Sequence, residues 1–408
     1  MFNRIISASL SPNTEREDVL AALFMLMQPW KWKRGAYTDT VTSWFEKQFA
    51  GYLAFPYNSG RAALTDILRS FGISSGDEIL VQAFTCVAVP NSVLWSGATP
   101  VYVDVDASLN IDVTDAAKKI SKKTRAIIVQ HTLGVTADMT AIRAFARKHS
   151  LVIIEDCAHA LGSTYAGKQT GSIGDAAFFS FGRDKVLSSV FGGVAIIRAS
   201  DTRVVGKMQE SHSTVQDAPV FWIFQQLLHP IIFSIVLPLY TTGIGKGILW
   251  MFQRLGLLSF PVYAKEKHGG KPEIFPSRYP NALAFLLLAQ LRKLDRYNTR
   301  RKKRAAQYVR ELGKVAAVEL LSYTDGSIFL RLPLCIPNPK HFIQRAKQRG
   351  ILIGNWYHNT IDPAGVDFSA VGYTPGSCPH AETYSTRVIN LPTNVSEQDA
   401  ERVLSLFS

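Results

Sequence analysis

Two short stretches in the middle of the chain, IIEDCAHALG and FFSFGRDK, carry four side chains able to do chemistry: Asp156, His159, Ser180 and Lys185. A lysine amine forms an imine with an aldehyde and can then move a proton between two carbons. An aspartate that ends a buried strand is a costly carboxylate unless a cation meets it, and a protonated pyridine nitrogen is such a cation. A serine hydroxyl suits a phosphate. Pyridoxal 5′-phosphate (PLP) offers the aldehyde, the pyridine nitrogen and the phosphate together. The set is therefore expected to hold PLP, with Lys185, Asp156 and His159 as its catalytic members. Taken singly, each residue has a plainer reading: Asp156 as a helix cap, His159 as a satisfied core histidine, Lys185 as a solvated loop lysine. Their joint spacing favours the cofactor.

A second element precedes them. In Asn58-Ser59-Gly60-Arg61-Ala62-Ala63 a small-residue turn opens a helix, so free N–H groups and the positive end of the helix dipole are available to a phosphate. Alone, this turn reads as an ordinary N-cap. Placed ahead of the lysine motif, Ser59, Gly60 and Arg61 are expected to share the cofactor phosphate with Ser180.

The elements that must position these residues alternate. Apolar runs such as EILVQ, RAIIVQH and LVIIED are separated by helix-like stretches such as TAIRAFARKHS, and AAFFSF and GGVAIIRA close the pattern. Continuous apolar strands between helices imply a mostly parallel sheet covered on both faces. The expected fold class is α/β, a three-layer αβα domain over residues 1–204, followed by a smaller α+β domain over 276–408. That second domain begins with a helix through LAFLLLAQLRKLDRY and ends with a helix after Ser396.

Between them, residues 205–275 form an apolar helical insertion. From Pro219 to Tyr240 no Asp, Glu, Lys or Arg occurs, and the run reaches the ~20 residues needed to cross hydrocarbon. A single crossing would separate two domains that share one active site. A re-entrant or surface-lying hairpin over 219–263, turning at TTGIGKG, satisfies both constraints. An apolar dimer or domain interface is the other reading.

The chain has 408 residues and a net charge of +13, an attraction for nucleic acid, anionic lipid or phosphorylated small molecules. Much of the excess lies in RKLDRYNTRRKKRAAQYVR, without any nucleic-acid-binding motif, so no nucleic-acid partner is expected. The four scattered cysteines, Cys86, Cys157, Cys335 and Cys378, argue against a disulfide framework or a metal site. The expected location is cytoplasmic, at the cytoplasmic face of the membrane if the hairpin meets lipid.

Over most of its length, from about Trp44 to the end apart from residues 205–270, the chain resembles the DegT/DnrJ/EryC1/StrS group of PLP-dependent sugar aminotransferases, of fold type I. The resemblance rests on GDEILVQAFTCVAVPNSVLWSGATPVYVDVD, HTLGVTADM, EDCAHALG, FSFGRDK, AQLRKLD and RVINLPTNVSEQDAERV. It implies a homodimer, glutamate as amino donor and a nucleotide-linked keto-sugar as acceptor, with a role in surface polysaccharide or glycan synthesis. It also implies that His159 lies against the cofactor ring and that Cys86 stands where an aromatic often stacks. Arg278, Tyr357 and His358 are the expected substrate contacts. Three positions depart from the family pattern: Arg61 stands where Thr is usual, Ser189-Val190-Phe191-Gly192-Gly193 replaces a Gly-Glu-Gly-Gly run, and Pro276 replaces an Asn. Some relatives are sugar 3-dehydratases, in which histidine replaces the lysine; Lys185 argues against that activity. A non-catalytic regulatory protein or membrane scaffold on the same fold is a third reading.

Overall fold

Alternate residues of the same strands enter different cores, which is the period-two signature of a sheet buried on both faces. Ile79, Val81, Ile128 and Ile154 join one apolar cluster, while Leu80, Ile127, Val129 and Ile153 join another. The computed structural model describes residues 5–240 and 242–407; Met1–Arg4, Ser408 and Thr241, a member of the expected TTGIGKG turn, lie outside them. Its central sheet has seven strands: β1 (Tyr52–Tyr57), β2 (Glu78–Gln82), β3 (Thr99–Val103), β4 (Thr124–Gln130), β5 (Val152–Asp156), β6 (Ala176–Ser180) and β7 (Gly193–Arg198). Their order is β1-β7-β6-β5-β4-β2-β3. The run from β6 to β3 is parallel, and β7 lies antiparallel to both β1 and β6.

Helices cover both faces. The helix α1 (Arg16–Leu26) and α2 (Ala36–Gln48) precede the sheet, and α3 (Gly60–Ser70) follows β1. Ala62, Ala63, Leu64, Ile67 and Leu68 of α3 are buried in the first cluster. On the other face α6 (Met139–His149, after α4 at Ala88–Ser96 and α5 at Val113–Lys119) buries Ile142, Phe145 and Ala146. Asp138 caps α6 through the Thr140 and Ala141 N–H groups.

After α7 (Thr202–Thr214) come the two insertion helices, α8 (Val220–Val236) and α9 (Ile244–Arg254). Trp222, Ile223, Leu227 and Ile232 of α8 point inward, while Phe221, Ile235, Ile244, Trp250, Met251 and Leu255 are exposed; Trp250 is 63% accessible. Beside them, α1 and the turn after it expose Leu20, Leu23, Phe24, Met27 and Trp30. No helix among the described residues is long and apolar enough to cross a membrane.

The helix expected through LAFLLLAQLRKLDRY is two helices, α10 (Asn281–Leu291) and α11 (Leu294–Leu312). They part at Arg292–Lys293, where the Lys293 ammonium turns in to Asp18 at 3.0 Å and Glu15 at 3.3 Å. A three-stranded antiparallel sheet, β8 (Glu319–Leu320), β9 (Arg331–Cys335) and β10 (Val388–Pro392), builds the second domain, and a final helix (Glu397–Leu404) is capped by Ser396. Ile6 and Ser7 pair in parallel with Ile351 and Leu352, so the N-terminal segment belongs spatially to this domain.

Candidate active site

Strands β4 and β5 end level with one another, and β6 runs on to Ser180. Asp156 pairs with Gln130 on one side and with Phe178 on the other. Their carboxyl ends, where open α/β sheets bind ligands, open into a cavity of about 380 Å³ lined by Ser59, Gly60, Arg61, Cys86, Asp156, His159, Ser180, Lys185 and Tyr357 among others. Every residue expected to bind the cofactor lies on this wall. Of the expected substrate contacts only Tyr357 does. Arg278 donates to the carbonyls of Val215 at 2.7 Å and Ser213 at 2.5 Å. His358 bonds Asp362, itself a cavity residue, at 2.7 Å.

Asp156 is buried at the floor of the cavity, one carboxylate oxygen accepting the Ala158 N–H at 2.9 Å. Burial pushes its carboxyl up to about 6, against the pull of that N–H and of the Lys185 and His131 charges. His159 Nδ1 accepts the Leu133 N–H at 3.2 Å, and its Nε2 faces Lys185 Nζ at 2.9 Å. Burial, reinforced by the neighbouring Lys185 and Arg331 cations, holds the imidazole well below the usual histidine range, so the ring is neutral. The Trp356 ring stacks 5.6 Å from the His159 ring, with Lys185 Nζ 5.1 Å from the Trp356 centroid and the Arg331 guanidinium 3.8 Å from it. Burial pushes the Cys86 thiol up, leaving it a neutral part of the wall.

The loop bearing Lys185 is tied down from behind. Asn13 Nδ2 donates to the carbonyl of Lys185 at 2.7 Å, and Arg301 Nη2 donates to that of Val186 at 2.8 Å. Arg301, from the basic run of α11, is fully buried there and its guanidinium is pushed down to about 9. Lys293 and Arg304 of the same run are buried as well, so part of the expected basic surface is internal scaffold.

The phosphate end is shaped by glycines. Ser59 caps α3, its Oγ accepting the Ala62 N–H at 3.2 Å, and leaves the Gly60 and Arg61 N–H groups at the open end. A Cβ on Gly60 would meet Ser180 Cβ at 3.0 Å, and one on Gly193 would drive into the Gly60 backbone nitrogen. The Arg61 guanidinium turns away from this turn to a buried ion pair with Glu266 and to the Pro261 carbonyl at 2.7 Å. These features fit PLP: a raised carboxylate suited to a pyridinium, a lysine amine beside a neutral imidazole, and a helix N-terminus with a hydroxyl for the phosphate. Reading the sequence missed Trp356, Gln130, Phe260 and Arg183 on the cavity wall; of these Gln130 and Arg183 sat inside the quoted stretches RAIIVQH and FFSFGRDK.

A sequence model of the DegT/DnrJ/EryC1/StrS aminotransferase family matches residues 13–220 and 262–407. The unmatched interval is the α8–α9 hairpin with its return arm. The chain is 42% identical over 170 residues to the GDP-perosamine synthase of Caulobacter vibrioides, a match covering 40% of this chain and 45% of that protein. It thus spans a little under half the length of that relative. It is 28% identical to the spore coat polysaccharide biosynthesis protein SpsC of Bacillus subtilis over 88% of this chain and 87% of that one. Among solved structures it superposes on S. venezuelae DesV in complex with a ketimine intermediate with a TM-score of 0.72 and 25% identity, covering 96% of this chain and 93% of the other.

Proposed function

Because this chain belongs to the DegT/DnrJ/EryC1/StrS aminotransferase family, whose cofactor is PLP, we propose that it moves an amino group from glutamate to a nucleotide-linked keto-sugar in the synthesis of a surface polysaccharide or glycan. The observation that carries this is the convergence of Lys185, His159 and Asp156 on one cavity beside the α3 turn. When bound, PLP supplies an electron sink that stabilises the carbanion formed on losing a proton. Asp156 would keep the pyridine nitrogen protonated. His159, neutral and held through Nδ1, would line the cofactor pocket without adding charge. Lys185 Nζ would anchor the cofactor and carry the proton. Ser180 Oγ and the Gly60 and Arg61 N–H groups would hold the phosphate. A lysine at position 185 supports transfer over dehydration.

Our reading includes a homodimer and peripheral docking on anionic membrane through the α8–α9 hairpin. Supporting the docking, Lys246, Arg254 and Lys265 are the only charged residues from 218 to 265. The exposed Trp250 and Trp30 suit an interfacial belt. The decisive experiment incubates purified protein with PLP, glutamate and a panel of nucleotide-linked keto-sugars and identifies amino-sugars by mass spectrometry. A wild-type protein with bound PLP that aminates none of them would refute the substrate class.

A further inference from the structure

Two residues before Lys185, the cavity wall carries a guanidinium that salt-bridges no carboxylate among the described residues. Arg183 lines the cavity, and its Nη2 donates to Ser259 Oγ at 2.7 Å. Its Nε is buried and makes no hydrogen bond, and the Phe191 ring lies 5.6 Å away. Among the described residues Arg183 makes no ion pair. Desolvation pushes it down to about 10 against the weaker pull of the Asp184 and Tyr263 charges, the sign of a charge only partly compensated.

The other cations of the cavity are engaged. Arg61 holds Glu266 and the Pro261 carbonyl, Lys185 faces His159, and Lys267 Nζ donates to the Ala364 carbonyl at 2.8 Å. A planar guanidinium with unused N–H groups matches the two oxygens of a carboxylate or a phosphate.

Its support comes from the interval that the family match leaves out. Ser259 Oγ donates its single hydrogen to Gln226 Oε1 at 2.8 Å, which leaves the oxygen free to accept from Arg183. Gln226 Nε2 in turn donates to the Trp222 carbonyl within α8 at 2.8 Å. Phe260 and Pro261 of the same interval form part of the cavity wall.

We infer that Arg183 receives an anionic group of a substrate, carboxylate or phosphate, and that the hairpin's Ser259–Gln226 pair positions it. The inference rests on the aminotransferase reading for the two sources of that anion: the dicarboxylate amino donor and the diphosphate of the acceptor. Ser259 is a positioning residue; Arg183 makes the contact.

The test uses PLP-loaded wild type, Arg183→Gln, Arg183→Lys and Ser259→Ala, titrated calorimetrically with glutarate and with UDP, GDP and dTDP. Arg183→Gln should weaken one class of probe about tenfold or more, as loss of a charge-assisted hydrogen bond predicts, with bound PLP per chain unchanged. Arg183→Lys, which keeps the charge and the fold but loses the fork, should fall between, and Ser259→Ala should weaken the same probe about threefold. The class affected identifies the source of the anion. Unchanged affinities in Arg183→Gln and Arg183→Lys, or no probe binding to wild type, would overturn the inference. So would loss of PLP from Arg183→Gln, which would assign the guanidinium to the cofactor. Transamination is read separately, from the visible absorbance of wild type on adding glutamate. Probe binding through Arg183 without any spectral response would sink the aminotransferase reading and leave the anion site standing.

Discussion

Asp156→Asn separates the two lives of a buried carboxylate. In the cofactor-stripped protein the carboxyl sits at about 6 against an ordinary 3.8. That difference is worth ~3 kcal/mol at neutral pH. The sign follows from linkage: a raised folded-state value means that the folded protein holds the proton more tightly than the unfolded chain. Stability from this group is therefore full below pH ~4, is lost as pH rises through ~6, and stays lost above. Asn keeps an acceptor for the Ala158 N–H but never ionises. Stripped Asp156→Asn should match stripped wild type near pH 4 and exceed it by up to ~3 kcal/mol at pH 7, measured by urea unfolding across that range. With PLP bound the order should reverse in function, because the charge that holds the pyridine nitrogen protonated is gone. Turnover should fall by at least ~100-fold. A stripped variant less stable than wild type at pH 7, or a loaded variant with near-normal turnover, would mean that the carboxylate is structural.

Lys185→Ala should lose the visible absorbance band and lower turnover by ~10²–10⁴-fold, while retaining some PLP through Ser180 and the α3 turn; full activity would remove the lysine from the chemistry. Gly193→Ala should destabilise by ~1–3 kcal/mol and weaken PLP binding, since its methyl group meets the Gly60 backbone and not a flexible side chain; equilibrium unfolding and a PLP titration check both. Wild-type protein should float with anionic liposomes, and Ile235→Glu combined with Trp250→Glu should stay at the bottom of the gradient with PLP still bound. A wild type that does not float ends the membrane reading alone.

The strand ends were legible because their signals are local. Buried parallel strands need continuous apolar runs, and EDCAHALG and FSFGRDK each place their polar residues within a few positions of such a run. The Ser59–Gly60 turn was readable for the same reason. Partners distant in sequence were not. Nothing around Arg301 announces that it anchors the Lys185 loop, because the contacts that do so, with Asn13 and Val186, reach other elements, while Asn298 on its own helix only steadies it. Its basic neighbours made it look like solvent-facing surface. Trp356 carries no motif, and only the folding of the second domain brings it to His159. The break between α10 and α11 depends on Lys293 meeting carboxylates on α1, again a tertiary contact that helical periodicity does not encode.

The burial that holds His159 neutral, with the Lys185 and Arg331 charges beside it, also removes a familiar marker from the pH dependence of turnover. An imidazole held neutral through and below its usual range contributes no titration step to a pH–rate profile between 6 and 8. An inflection near 6 belongs instead to the stability of the stripped protein, where it reports Asp156, because a bound pyridinium would pull that carboxyl back down. The pH dependence of unfolding thus becomes a gauge of cofactor occupancy: the steeper the loss of stability as pH rises through about 6, the more of the sample has shed its PLP.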